Sequence, residues 1–337
     1  MSTSRRLLAV LFAFCGIASA ADRALLDLMM PDAQVLFGIN VARIAESSIG
    51  KEIKAGLQGA SPELQQIVQQ TGFDPARDLQ EILIAATGNQ NGEGLILARG
   101  NFDAAKLGAF CSRSSRPPVK YEGVDILSSP TPHGGAFAFV DNTIAIGGTL
   151  GEVKAAIRRH KQQVELNPNL IAKVASTSER YDIWVLSTQS MAGIGSKLSD
   201  TNRQLGDLVK SIEQVTGGVK FSSNLDAALE LITDTEQNAI RVHDTLSLFT
   251  GFLTPGRQEA SGIRPEDIKL TVESKTVRLK LTITGEQLQK QVQMARNGMG
   301  ARISTAAPAR PKPSDDLVIQ SSERDMGTVK VPAGNKD

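Results

Sequence analysis

The chain has 337 residues, 37 basic and 36 acidic, with 41% hydrophobic but only 4% aromatic side chains. A formal charge of +1 offers no basic field for nucleic acid, and two cysteines are too few for a disulfide framework. No stretch approaches the ~20 apolar residues of a membrane-spanning helix, so the expectation is a soluble chain held by aliphatic cores.

Arg5-Arg6, the apolar segment Leu7–Ile17 and Ala18-Ser19-Ala20 before Ala21 have the layout of a cleavable signal peptide over residues 1–20, cut after Ala20. A periplasmic or secreted protein is expected. Ser4-Arg5-Arg6-Leu7-Leu8 also resembles a twin-arginine signal, and Cys15 lacks the small preceding residue that lipid attachment needs, because Phe14 stands there. Removing residues 1–20 takes away two arginines and no acids, leaving 35 basic and 36 acidic side chains. Cys111 is then the one remaining cysteine, so no intramolecular disulfide can form.

Ala33–Asn40 is an apolar run behind Pro31-Asp32 and predicts a buried first strand. Ile44, Ile49, Ile53 and Leu57 follow at helical spacing, with weak points at Gly50 and Gly59. Ser61-Pro62-Glu63 announces another helix, faced by Leu64, Ile67 and Val68, because serine caps an orphan amide and proline at the first position has no amide to leave unpaired. Gly72-Phe73-Asp74-Pro75 breaks it. Strands Leu79–Thr87 and Leu95–Arg99 form a hairpin through Gly88–Gly94, whose residues tolerate positive φ. Asn101 is expected to cap a helix Phe102–Cys111, with Asp103 in its first turn. A strand pair within Val119–Leu127 folds at Glu122-Gly123, and Ala136–Val140 pairs with Thr143–Gly147 through Asp141-Asn142. The capping box Thr149-x-x-Glu152 opens a helix carrying Val153, Ala156 and Ile157.

The second half repeats this order. Tyr181–Ser187 is a first strand, and a polar helical region with Leu198, Leu205, Leu208, Val209 and Ile212 runs to Gln214. Val215–Phe221 and Leu225–Ile232 make a hairpin, and Thr233-x-x-Glu236 caps a helix faced by Ala239, Ile240, Leu246, Phe249 and Leu253. Ile268–Val272 and Val277–Ile283 alternate as half-buried strands around Ser274-Lys275, before the box Thr284-x-x-Gln287 opens a helix with Leu288 and Val292.

The stretch Gly72–Phe110 thus has a looser echo in Val215–Phe252, and the hairpin-box-helix sequence of Val140–Ile157 recurs in Val272–Val292. The predicted organisation is a signal peptide over 1–20, α+β repeats over 21–165 and 166–295, and a disordered Pro/Ala/Gly-containing tail over 296–337. Each repeat is expected to be an antiparallel sheet with helices packed against it. Whether the two sheets join is left open.

No residue is assigned a catalytic, cofactor-binding or metal-binding role. Gly88–Gly94 is not followed by Gly-Lys-Ser/Thr and leads into a strand, so it reads as a turn. Ser48-x-x-Lys51 lacks the Ser-Asp-Asn and Lys-Thr-Gly partners of penicillin-binding enzymes. His133, His160 and His243 have no ligand partner at metal spacing, and no Gly-x-Ser-x-Gly elbow is present. Cys111 reads as a small buried residue, Asp74 and Asp78 as turn chemistry, and Arg158–Lys161 as a solvated basic helix end.

Phe73-Asp74-Pro75-x-x-Asp78-Leu79 before an apolar strand, Arg99-Gly100-Asn101-Phe102-Asp103 at a strand-to-helix step, and the late hairpin leading to a helix resemble a diffuse group of exported bacterial proteins of unknown function. That resemblance implies an α+β fold and no assigned activity. The expectation is a non-enzymatic binding or scaffolding protein of the cell envelope, its partner an unknown envelope protein or an apolar ligand. One alternative is a periplasmic carrier of a lipid-like ligand with a cavity lined by Ile240, Leu246, Phe249 and Ile283. Another is an envelope-polymer hydrolase using groups such as His133, Asp74, Glu93 and Cys111. Partner-chaperone activity would instead need an exposed apolar patch.

Overall fold

Strands with one apolar face and one half-exposed face must pair with neighbours and cover the apolar side, and this chain does both with one sheet. The computed structural model describes residues 21–51, 62–87, 94–113, 115–131, 134–162, 166–187, 189–251 and 264–290. The expected leader 1–20, Ile53, Leu57, Gly59, Ser61, the link 88–93 with Glu93, His133, Leu253, Val292 and the expected tail 296–337 lie outside them.

In chain order the elements are α1 (Arg23–Leu26), β1 (Val35–Asn40), α2 (Val41–Glu46), α3 (Pro62–Thr71), α4 (Pro75–Asp78), β2 (Leu79–Ala86) and β3 (Gly94–Gly100). Next come α5 (Ala104–Ser112), β4 (Val119–Tyr121), β5 (Val124–Ser128), β6 (Ala136–Phe139), β7 (Ile144–Gly148), α6 (Leu150–Gln162) and α7 (Pro168–Arg180). The later half holds β8 (Ile183–Ser187), α8 (Ala192–Thr201), α9 (Arg203–Lys210), β9 (Ile212–Phe221), β10 (Asn224–Thr233), α10 (Glu236–Gly251), β11 (Ile268–Glu273) and β12 (Thr276–Thr284).

The twelve strands of the described residues form one antiparallel sheet in the order β11-β12-β10-β9-β8-β1-β2-β3-β7-β6-β5-β4. Reading outward from the β1–β8 seam, β1, β2, β3, β7 and β6 on one side match β8, β9, β10, β12 and β11 on the other. The fold is therefore α+β, with two topologically equivalent halves in a continuous sheet. The hairpin β4–β5 is an addition peculiar to the first half. At its tip Glu122 and Gly123 both have positive φ, as a tight two-residue hairpin turn demands.

One face of the first half carries the larger core. Leu36, Leu83, Leu95, Leu97, Ile144, Ile146, Trp184 and Leu186 point to it and meet Val153, Ala156 and Ile157 of α6 and Leu170 and Val174 of α7. Leu25, Leu28 and Met29, in and just after α1, are fully buried in the same cluster. A smaller cluster joins Ala239 and Val242 of α10 to Leu231 and Val277.

Several local expectations are corrected. Asp103, not Asn101, caps α5, accepting from Lys106 N–H at 3.0 Å, because the Asn101 and Phe102 amides are committed to the Asp78 and Asn142 carbonyls and keep the chain extended. The helix after β1 ends at Glu46, and beyond the bend at Ser47 the chain is helical again at residues 48–51. Ile212 lies in strand β9 instead of ending the helical region, which is two helices meeting at Asn202. Thr235, not Thr233, caps α10 by accepting from Asn238 N–H, while Thr233 Oγ1 donates to the Thr235 and Lys275 carbonyls. Helix α7 has no counterpart in the sequence reading, although Asn167 caps it and Pro168 opens it. The box at Thr284 is reciprocal, with Thr284 N–H donating to Gln287 Oε1 and Gln287 N–H to Thr284 Oγ1; at Thr149 only the Glu152 amide bond is made.

Candidate functional site

Strand pleating places alternate residues of every strand on the face opposite the larger core. Across that face, Leu279, Leu229, Gly217, Val185, Phe37, Ile84, Ile96, Gly147 and Phe137 lie side by side on successive strands from β12 to β6. The neighbouring row runs Leu281, Ala227, Val219, Ile183, Ile39, Ile82, Ala98, Ala145 and Phe139. Neither row contains a polar side chain.

Among the described residues, helices roof only the flanks of this floor. Helix α10 packs on Leu231 and Val277 toward one end, and α5 borders a cleft with Leu127 and Phe139 toward the other. Between them an open groove of about 250 Å³ is lined by Phe37, Ile183, Trp184, Val185, Gly218, Val219, Ala227, Ala228, Leu229, Leu279 and Leu281, every one apolar. Ile96, farther along the floor, is 53% exposed. Covering apolar surface of this kind is worth about 25 cal/mol per Å², which makes this floor the candidate site among the described residues.

The groove is not the cavity expected from the sequence. Ile240 faces outward on α10 and is 50% exposed, Leu246 packs in the smaller cluster, Ile283 is buried outside the groove, and the side chain of Phe249 is outside the described residues. What sequence reasoning missed is the groove itself, whose residues come from five strands brought together by pairing.

A larger cleft of about 560 Å³ joins the two short motifs, with Gly72, Phe73, Arg77 and Asp78 facing Asn101, Phe102, Asp103 and Lys106. Its charges neutralise one another. Arg77 holds Asp78 with bonds of 2.7 and 2.6 Å, and the Asp78 carboxyl sits below its ordinary range chiefly because of that guanidinium. Lys106 pairs with Asp103 at 2.9 Å. Asp74 serves as the cap of α4. Phe73, Phe102 and Phe139 stack in a chain with 5.6 Å between successive ring centroids, which fixes the cleft wall.

The other singled-out residues are dispersed. Ser48 and Lys51 are exposed on the helical stretch 48–51, with Ile49 buried between them. His160 ends α6 half-buried, and the His243 ring lies 3.0 Å from Asp244. Cys111 is half-buried on α5, where burial pushes its thiol up. Arg158 and Lys161 dock on the β4–β5 tip through the Tyr121 hydroxyl and the Glu122 carbonyl. Among the described residues no group of three or more His, Cys, Asp or Glu could hold a metal ion, and no helix is long and apolar enough to cross a membrane.

The buried charges gather at one end of the β1–β8 seam. Asp182, 1% exposed, accepts from Arg43 Nε at 2.7 Å, Lys220 Nζ at 3.1 Å and the Phe221 amide at 2.7 Å. Nearby, Glu81 accepts the Asp22 amide at 3.0 Å, and the Asp22 carboxylate reaches Arg99 at 3.2 Å. Burial, against the pull of the Asp22 amide, pushes the Glu81 carboxyl up to about 7.

No protein-family model and no curated protein matches the sequence. Among solved structures, crystal form III of TP0453 is similar at 13% identity and a TM-score of 0.47, over 82% of this chain and 100% of that one. Crystal form IV of TP0453 is similar at 12% identity and a TM-score of 0.44, over 78% and 94% of the respective chains.

Proposed function

We propose that this is an exported, non-enzymatic binding protein of the bacterial cell envelope, and that its ligand is an apolar chain laid along the open sheet face. The observation carrying this reading is the groove of about 250 Å³ whose lining residues are all apolar. Its volume lies below the roughly 300–1,000 Å³ of ordinary small-molecule pockets, and no polar group converges to orient a polar metabolite. A single hydrocarbon chain meets both conditions. The pairing of the large cleft's charges with one another supports a non-catalytic role for that region.

Native mass spectrometry of the protein recovered from an exported fraction tests the reading. A reproducible added mass released by organic extraction as a lipid or fatty acid is expected. A bare protein mass under conditions that preserve non-covalent complexes contradicts it.

A further inference from the structure

The Ala21 nitrogen is held in a socket. Ala21 is 9% exposed, and its N–H donates to Ser178 Oγ on α7 at 2.9 Å. The Ser178 hydroxyl proton is committed to the Ala175 carbonyl, so its lone pair faces Ala21, while Arg43 grips the Ser178 carbonyl at 3.0 Å. Three covalent bonds from that nitrogen, the Asp22 amide donates to Glu81 Oε2. Glu81 is a buried carboxyl to which the described residues give one hydrogen bond and no salt bridge. Arg43 is already bound to Asp182 and Arg99 to Asp22, so the two cations near it are engaged elsewhere, and Asp22 adds a second negative charge. A buried carboxylate in such company lacks a counter-charge.

We propose that Ala21 is the N-terminus of the working protein, and that its free α-ammonium, seated between Ser178 and Glu81, is the missing counter-charge of this cluster. Hydrolysis of the Ala20–Ala21 peptide by an endopeptidase that accepts small residues before the cut consumes one water. The C–N bond breaks, Ala20 keeps a carboxylate, and Ala21 gains the ammonium. A peptide nitrogen can donate once and carries no charge; the ammonium donates three times and carries one. Leader removal thereby completes the charge balance at the seam. The inference rests on reading residues 1–20 as a cleavable leader.

N-terminal sequencing of the chain exported from a bacterial host tests the leader reading by itself, with Ala21 expected first; any other first residue overturns the proposal. The socket is tested on two chains running to Asp337, one beginning at Ala21 and one carrying a single additional alanine before it. The first should melt a few degrees higher at pH 7, and its α-amine should react with an acylating reagent roughly tenfold more slowly than an unfolded control, as one unit of raised basicity implies. Both differences should disappear in Glu81→Gln, which keeps the shape and removes the charge. Ser178→Ala should reduce them without abolishing the Glu81 dependence. Equal melting of the two chains, or a difference that survives Glu81→Gln undiminished, overturns the socket even where the leader is cut after Ala20.

Discussion

Gly38 on β1 stands directly opposite Trp184 on β8, and the space a side chain at position 38 would need is filled by the indole. This pair closes the seam between the two equivalent halves and sets the back of the apolar groove. A glycine is required there by close approach, not by backbone conformation. Gly38→Ala is expected to push the indole from its place at the centre of the larger core and cost about 1–3 kcal/mol. Denaturant unfolding followed by Trp184 fluorescence measures it, since the chain has one tryptophan; an unchanged midpoint would show that the indole is not packed against residue 38.

Asp182 ties the same seam from its polar end, with two cations and an amide on one carboxylate. Asp182→Asn takes the shared anion from Arg43 and Lys220, whose side chains are 22% and 42% exposed, and weakens the charge-assisted bonds at a buried position, so a loss of about 1.5–3 kcal/mol is expected. Chemical denaturation at neutral pH checks this. A loss below about 1 kcal/mol would place the pair among surface-type bridges.

Glu81 gives the stability a pH dependence of definite sign. With residues 1–20 attached, its folded value of about 7 lies above the ordinary 4.5, so between those values the folded chain retains a proton the unfolded chain has released. Stability therefore falls as pH rises through that window, by about 3 kcal/mol in all, and stays level above it. Glu81→Gln should abolish the slope. In the chain beginning at Ala21 the α-ammonium stabilises the carboxylate, so the same substitution should destabilise at pH 7. Thermal unfolding of both forms from pH 4 to 8 reads the two signs.

The cap of α5 separates two neighbouring polar residues. Asp103→Ala should cost about 1 kcal/mol, and Asn101→Ala should cost less than half of that, because only Asp103 accepts from the first turn of the helix. Equal costs would return Asn101 to the capping role.

Much of the sheet was legible from short local runs. Val277 to Ile283 alternates apolar and polar residues, and Leu79 to Ala86 is an apolar run bounded by turn residues, so both can be read without help from tertiary structure. The Thr-x-x-Gln box at Thr284 was legible for the same reason, being complete within four residues. Asp103 was confused with Asn101 because both can cap, and the choice is made by distant carbonyls at Asp78 and Asn142. Leu25 to Met30 gave no periodic pattern beside the leader, and its burial depends on the sheet it lands on. The groove was illegible in principle: Phe37 meets Val185 only through the β1–β8 register, a contact between residues far apart in the chain. Composition announced enough aliphatic surface for two faces but not which face would stay open.

The central claim is tested most directly with a fluorescent fatty acid whose absorption overlaps tryptophan emission, titrated into the mature protein. Trp184 stands between the groove residues Ile183 and Val185 with its indole on the other face of the sheet, and it is the chain's one tryptophan, so energy transfer across the sheet reports a ligand held close to it. Saturable transfer is predicted, weakened at least tenfold by Val185→Lys in the groove and unchanged by Leu248→Lys, which alters an outward residue of α10 that is 67% exposed. Transfer that never saturates, or that survives Val185→Lys intact in a folded protein, would contradict an apolar ligand on this face.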